Sequence, residues 1–127
     1  MLSSPRAWPT ELKLGKDRRR LTVAFDDGQI FALDAELLRV FSPSAEVQGH
    51  APHERRTVAG KTAVAIVDLV PTGNYAVRIV FDDGHDTGIY DWDYLAELGA
   101  RRAELWQGYL DELAAQGLSR ETPDLPR

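Results

Sequence analysis

No cysteine occurs anywhere in the 127 residues, which excludes a disulfide framework, thiolate metal ligation and a thiol nucleophile together. Uninterrupted apolar stretches long enough to cross a bilayer are missing too, and the opening residues Met1-Leu2-Ser3-Ser4-Pro5-Arg6 lack the apolar core of a secretion signal. Both absences lead to the expectation of a soluble, cytoplasmic protein with no membrane partner. Positive charge is not in excess: 15 Lys and Arg against 20 Asp and Glu leave a net charge of −5. Phosphate neutralisation drives most nucleic-acid affinity, so no nucleic-acid partner is expected, and the short run Arg18-Arg19-Arg20 reads as a solvated turn. The ten glycines are scattered singly, which leaves no glycine-rich cradle for a phosphate. With 43% apolar and 28% charged residues, the composition is that of one ordinary globular domain.

What the chain does contain is a hairpin signature written twice. Leu21, Val23 and Phe25 alternate with smaller or polar residues and run into Asp26-Asp27-Gly28; Val77, Ile79 and Phe81 do the same and run into Asp82-Asp83-Gly84. Asp-Gly readily supplies the positive φ of a tight turn between two strands. After each hairpin comes a helix start, Asp34 before Ala35-Glu36-Leu37-Leu38 and Asp91 before Trp92-Asp93-Tyr94-Leu95, where a short acceptor can cap the first free N–H groups. The repeated unit is strand, turn, strand, helix.

Around it, Glu11-Leu12-Lys13-Leu14 alternates as a further strand, so the first three strands form a meander. From Phe41 to Thr62 no period survives among Ser42, Pro43, Ser44, Gly49, His50, Pro52, His53 and Gly60, which predicts a long loop over the sheet. A strand is expected over Ala63–Val70, a turn over Pro71–Asn74, and the centre of the sheet over Tyr75–Phe81. Trp92, Leu95, Leu98, Leu105, Trp106, Tyr109, Leu110 and Leu113 recur at helical steps interrupted by Gly99. The expected fold is thus α+β: mainly antiparallel β-sheet with the duplicated unit and a C-terminal helical segment. Residues 9–113 form the domain, 1–8 an extended arm, and 114–127 a tail that frays for want of an apolar face.

Candidate chemistry is sparse. His50 and His53, three apart, could join His85 and Asp86 at a metal if the loop folded back; Pro52 keeps the segment extended, and exposed loop histidines are the favoured alternative. The pairs Asp26-Asp27 and Asp82-Asp83 are better explained as turn residues than as a general acid and base. Ser42 and Ser44 have neither a nucleophile elbow nor an identifiable oxyanion hole. Tyr90, Trp92, Tyr94, Trp106 and Tyr109 read chiefly as packing, with an exposed aromatic edge as the functional alternative. No catalytic constellation and no cofactor are expected.

Three segments nevertheless carry a resemblance: Pro9-Thr10-Glu11-Leu12, the run Leu38 to His50 with its Leu-Arg-x-x-Ser-Pro-Ser-Ala-Glu core, and the run Phe81 to Leu95 with Asp-Gly-His-x-x-Gly-x-Tyr-x-Trp-x-Tyr-Leu. Over residues 9–113 the chain resembles the bacterial DUF971 proteins, a family similar to the N-terminal domain of gamma-butyrobetaine hydroxylase. In that hydroxylase the resemblance implies a structural zinc held by a Cys-Pro-Cys-x-x-Cys run and one histidine. Here Ser42, Ser44 and Val47 stand at the cysteine places and only His85 remains, so no metal is expected.

Two roles follow from the resemblance. DUF971-like segments are also joined to P-loop ATPases that carry iron–sulfur clusters, which implies a non-enzymatic accessory or protein-interaction domain with such a carrier as candidate partner. The alternative is a stand-alone remnant of a 2-oxoglutarate oxygenase module acting with a catalytic partner. For either role the expected contact surface combines the loop with the second hairpin: Arg39, Glu46, His50, His85, Tyr90 and Trp92.

Overall fold

The computed structural model describes residues 7–123. β1 (Pro9–Leu14), β2 (Arg20–Phe25) and β3 (Ile30–Asp34) form one antiparallel sheet in that order and lead into α1 (Ala35–Val40). After α2 (Ala45–Gln48) and a single 3-10 turn at Pro52–Glu54, β4 (Ile66–Thr72), β5 (Ala76–Phe81) and β6 (Gly88–Asp91) form a second antiparallel sheet. α3 (Trp92–Ala100) and α4 (Arg102–Ala115) close the chain. The class is α+β, and there are two three-stranded sheets with β2 and β5 at their centres. Among the described residues, no helix is long and apolar enough to cross a membrane.

The duplication extends to individual backbone hydrogen bonds. Phe25 and Phe81 N–H donate to Gln29 and His85 carbonyls at 2.8 and 2.9 Å, and Gly28 and Gly84 N–H donate to Phe25 and Phe81 carbonyls at 3.1 and 3.2 Å. Both glycines have left-handed φ, +92° and +93°, as a turn at these positions requires. Even the bulge is repeated, between Pro9 and Glu11 on β1 and between Ile66 and Asp68 on β4. The repeat is therefore one strand longer than the hairpin signature predicts.

Alternation explains the main core. Leu21, Val23 and Phe25 on β2 and Val77, Ile79 and Phe81 on β5 all turn inward, and Leu33, Leu37, Leu38, Tyr90, Leu95 and Leu98 complete one buried cluster. A second, smaller cluster consists of Val40, Val47, Val58, Ala59, Tyr109 and Leu113.

Several local expectations change. β4 begins at Ile66 and runs through Pro71, which an edge strand tolerates, so the turn moves to Gly73 and Asn74. Asp91 caps α3 by accepting the Tyr94 N–H at 2.7 Å, but Asp34 makes no such bond and instead faces Arg20 Nε at 3.4 Å. Gly99 lies inside α3; the break comes at Arg101. A Cβ at Gly99 would sit 2.3 Å from Phe31 Cγ, so its absence admits that ring. The segment from Phe41 to Thr62 contains α2 and the 3-10 turn rather than being wholly irregular.

Both chain ends differ from expectation where they are described. Ala7 N–H donates to Asp93 Oδ1 at 3.1 Å, and the Trp8 carbonyl accepts the Asp26 N–H at 2.9 Å, so the arm joins the sheet before Pro9; residues 1–6 lie outside the described residues. The tail expected to fray from 114 continues as helix to Ala115, and Leu118 packs on the second cluster. Arg120 then makes a two-pronged bond to Glu36, Nε to Oε2 at 2.9 Å and Nη2 to Oε1 at 2.6 Å. Apolar periodicity does not register a tail held by one apolar residue and a few polar contacts.

Candidate functional site

The two Asp-Asp-Gly turns share a backbone and differ in what their second aspartate holds. In both, that carboxylate accepts an N–H two residues on, Gln29 from Asp27 at 2.9 Å and His85 from Asp83 at 3.0 Å. Asp83 Oδ2 has two further partners, Arg39 Nε and Lys61 Nζ, each at 2.7 Å. Burial alone would raise the Asp83 pKa, but the Lys61 ammonium, the His85 N–H and the Arg39 guanidinium hold it down at about 2. Arg39 lies at the end of α1 and Lys61 near the far end of the irregular segment, so one carboxylate gathers both ends of that segment onto the second hairpin. Arg39 Nη1, also buried, has no hydrogen-bond partner among the described residues.

Beside this clamp stands His85, where the first turn has Gln29. Its Nε2 is 2.8 Å from Ser42 Oγ and its Nδ1 3.5 Å from Glu46 Oε1. Ser42 Oγ also accepts the Ser44 N–H at 3.2 Å, and its contact with Nε2 is a hydrogen bond in which either group can donate, according to the tautomer of the ring. Burial first and Arg39 second push the His85 pKa below its ordinary value, against Glu46, Asp83 and Asp86.

Serine, imidazole and carboxylate in this order have the spacing of a nucleophilic triad. Access decides against that chemistry. Ser42 is 0% exposed, and a Cβ placed on Gly88 would come within 2.5 Å of its Oγ. No carbonyl carbon can approach a hydroxyl so enclosed. The arrangement instead pins the loop to the hairpin, reinforced by Ser44 Oγ to Thr87 Oγ1 at 2.6 Å and Thr87 Oγ1–H to Glu46 Oε1 at 3.0 Å. Ser44 also caps α2, accepting the Glu46 N–H at 3.1 Å.

The same contacts test the metal. Ser42 and His85 do meet, but Ser44 is committed to Thr87 and Val47 is buried in the second apolar cluster. Two hydroxyls and an isopropyl group do not make a zinc site. His50 and His53 do not join them: both are exposed, the His50 N–H bonds Glu54 at 3.0 Å, and His53 Nε2 lies 3.9 Å from Glu54. Among the described residues, no group of three or more His, Asp or Glu is placed to hold a metal ion.

Of the expected contact residues, Arg39, Glu46 and His85 share this cluster, and only Glu46 and His50 are exposed. Tyr90 and Trp92 form no aromatic edge. Tyr90 is fully buried, its hydroxyl donating to the Leu38 carbonyl, and burial drives its pKa upward. Trp92 Nε1–H donates to the Asn74 carbonyl at 2.9 Å. Each ring has its polar atom satisfied inside the fold. Among the described residues, the exposed aromatics are Trp8 and Tyr75, while Tyr94 and Trp106 are half-buried. Lys61 and Thr87 are not legible as site residues: a lysine after a glycine and a threonine before one carry no spacing signal. A shallow hollow is lined by Gln48, Gly49, His50, Ala51 and Arg55.

Residues 12–96 match the family described as gamma-butyrobetaine hydroxylase-like, N-terminal. Two NMR solution structures are similar at TM-score 0.78, one 44% identical and covering 94% of both chains, the other 45% identical and covering 98% of this chain and 96% of its own. A crystal structure of a protein of unknown function from Acidithiobacillus ferrooxidans, assigned to the DUF971 family, is 40% identical with a TM-score of 0.63 and covers 77% of this chain and 99% of its own. No protein of curated function matches significantly. With most of the fold and the loop-to-hairpin contact falling inside the matched region, the chain belongs to the gamma-butyrobetaine hydroxylase-like N-terminal family, DUF971.

Proposed function

We propose that this chain is a non-catalytic protein-interaction domain of the cytoplasm, which docks on a larger assembly through the exposed side of residues 45–55. The observation that supports it is the division of labour around the second hairpin. Asp83, His85, Ser42, Ser44, Glu46 and Thr87 are engaged in holding the segment, and Ser42 is sealed, whereas Gln48, Gly49, His50, Ala51 and Arg55 line an open hollow. A largely irregular segment whose ends are fixed by buried polar bonds to a sheet suits recognition better than turnover.

The candidate partner is a P-loop ATPase that carries an iron–sulfur cluster, a suggestion that rests on the family resemblance alone. Immobilised protein should capture such a purified carrier, and His50→Ala or Ala51→Asp should weaken capture several-fold while leaving the melting curve in place. A substitution at Ile30, exposed on the first sheet, serves as the control. Capture unaffected by the loop variants would overturn the surface. Capture of an oxygenase catalytic subunit in place of the carrier would favour the role of a 2-oxoglutarate oxygenase module.

A further inference from the structure

The second apolar cluster contains no strand residue. Val47, Val58 and Ala59 come from the segment after α1, Tyr109 and Leu113 from α4, and Val40 from the end of α1, with Leu110 and Leu118 at the edge. Polar bonds join the same two pieces: Tyr109 hydroxyl to the Val58 carbonyl, Arg55 to Glu112, and Gln116 Nε2 to Thr57 Oγ1 at 2.7 Å. Neither piece is self-sufficient. A helix of fourteen residues is marginal in water by itself, and residues 49–60 have no periodic apolar face. Each is the other's chief apolar partner.

The boundaries of this unit are also marked. Ser42, Ser44 and Lys61 fasten the segment's two ends to the second hairpin. On α4, Leu105 packs against the main core, Trp106 touches both clusters, and Tyr109 and Leu113 belong to the second. Gly108 lies between them in open space, where an added Cβ would meet nothing within 4 Å. A mid-helix glycine is a local weak point of about 1 kcal/mol. Beyond the helix, Arg120 returns to the buried Glu36 and stacks 5.2 Å over Trp106. The family match ends at residue 96, before α4.

We propose that residues 45–60 and the part of α4 after Gly108 form one cooperative lid, strapped shut by Arg120 on Glu36, which opens as a unit while the two-sheet core stays folded. Its opening bares Val47, Val58, Tyr109 and Leu113 together. A ligand that seats on α4 would thereby alter the segment around Glu46 and His50, and the reverse. The lid does not depend on what the domain binds.

Hydrogen exchange of the whole chain, followed by mass spectrometry, tests it. Amides of 45–60 and 109–118 should share one level of protection, lower than that of β2 and β5. Leu113→Ala should accelerate exchange at least about tenfold in both segments and not in β2 or β5; Val58→Ala should do the same reciprocally, and Arg120→Gln should do so more weakly. Acceleration confined to the mutated piece, or spread evenly over β2 and β5, would overturn the proposal. So would wild-type protection in the two segments equal to that of the central strands, a result that needs no variant to be stable.

Discussion

Arg39 and Lys61, one just before the irregular segment and one near its far end, each lie 2.7 Å from the same Asp83 oxygen. A single carboxylate thus ties together the two ends of a long excursion of the chain, which shortens the loop whose ordering the rest of the fold must offset.

Asp83→Asn keeps the acceptor for the His85 N–H and removes the charge facing two buried cations. The expected loss is on the order of 2–4 kcal/mol. Asp27→Asn, at the equivalent turn where the carboxylate serves the Gln29 N–H, should cost about 1 kcal/mol or less. Urea unfolding of both variants checks this, and equal losses would show that the clamp contributes nothing beyond the turn. Because the Asp83 pKa is lowered from 3.8 to about 2, its contribution is complete above the unfolded value and disappears as pH falls through the folded one. The asparagine variant should therefore lose less stability than wild type over that acid range.

His85 gives a second pH dependence at milder acidity. Its folded pKa lies below 6.5, so the fold favours the neutral ring; stability is complete above the unfolded pKa and falls as pH drops from there through the folded value. Melting temperatures of wild type and His85→Gln across pH 5 to 8, about the range in which an imidazole titrates, should diverge most at the neutral end and converge at the acid end. Parallel curves would mean that the imidazole is not held neutral.

Gly88 leaves the space into which Ser42 fits. A Cβ there would meet Ser42 Oγ at 2.5 Å and Tyr90 Cε1 at 3.0 Å, so Gly88→Ala should cost about 1–3 kcal/mol. In a Ser42→Ala background the same change should cost clearly less, since the nearer obstacle is gone. A double-mutant cycle with no coupling would show that the backbone shifts freely at this point.

Metal should be irrelevant to folding, because Ser42, Ser44 and Val47 supply no thiolates and are otherwise engaged. Untagged protein should contain no stoichiometric zinc and should melt at the same temperature with and without chelator. Zinc at one equivalent, together with a melting point lowered by chelation, would reverse that conclusion.

Much of the frame is legible in the sequence because its signals are local. Alternation fixes which side chains of β2 and β5 point inward, and Asp-Gly fixes the turns through φ at Gly28 and Gly84. Choices between partners are not legible. Asp34 and Asp91 occupy the same place before a helix, yet one faces Arg20 and the other caps Tyr94; only the neighbouring strand decides. Sequence reasoning puts Tyr90 and Trp92 at a surface because a count of rings does not say which carbonyl will receive the hydroxyl or the indole N–H. The site itself is half visible: the family resemblance brings the loop and His85 together, whereas Lys61 and Thr87 join only through distant pairing.

The pairing registers set Phe31 opposite Val23 in the first unit and Gly88 opposite Ile79 in the second, so a ring in one copy corresponds to bare backbone in the other. The two halves are therefore not interchangeable, although the hydrogen bonds that close their turns correspond. A descendant that regained a side chain at position 88 would have to shed the hydroxyl at 42 or push the segment away from the hairpin. Across the family these two positions should vary together, a small residue at 88 accompanying whatever group at 42 reaches toward the imidazole. The divergence of the repeat is thus recorded at a residue that has no side chain of its own.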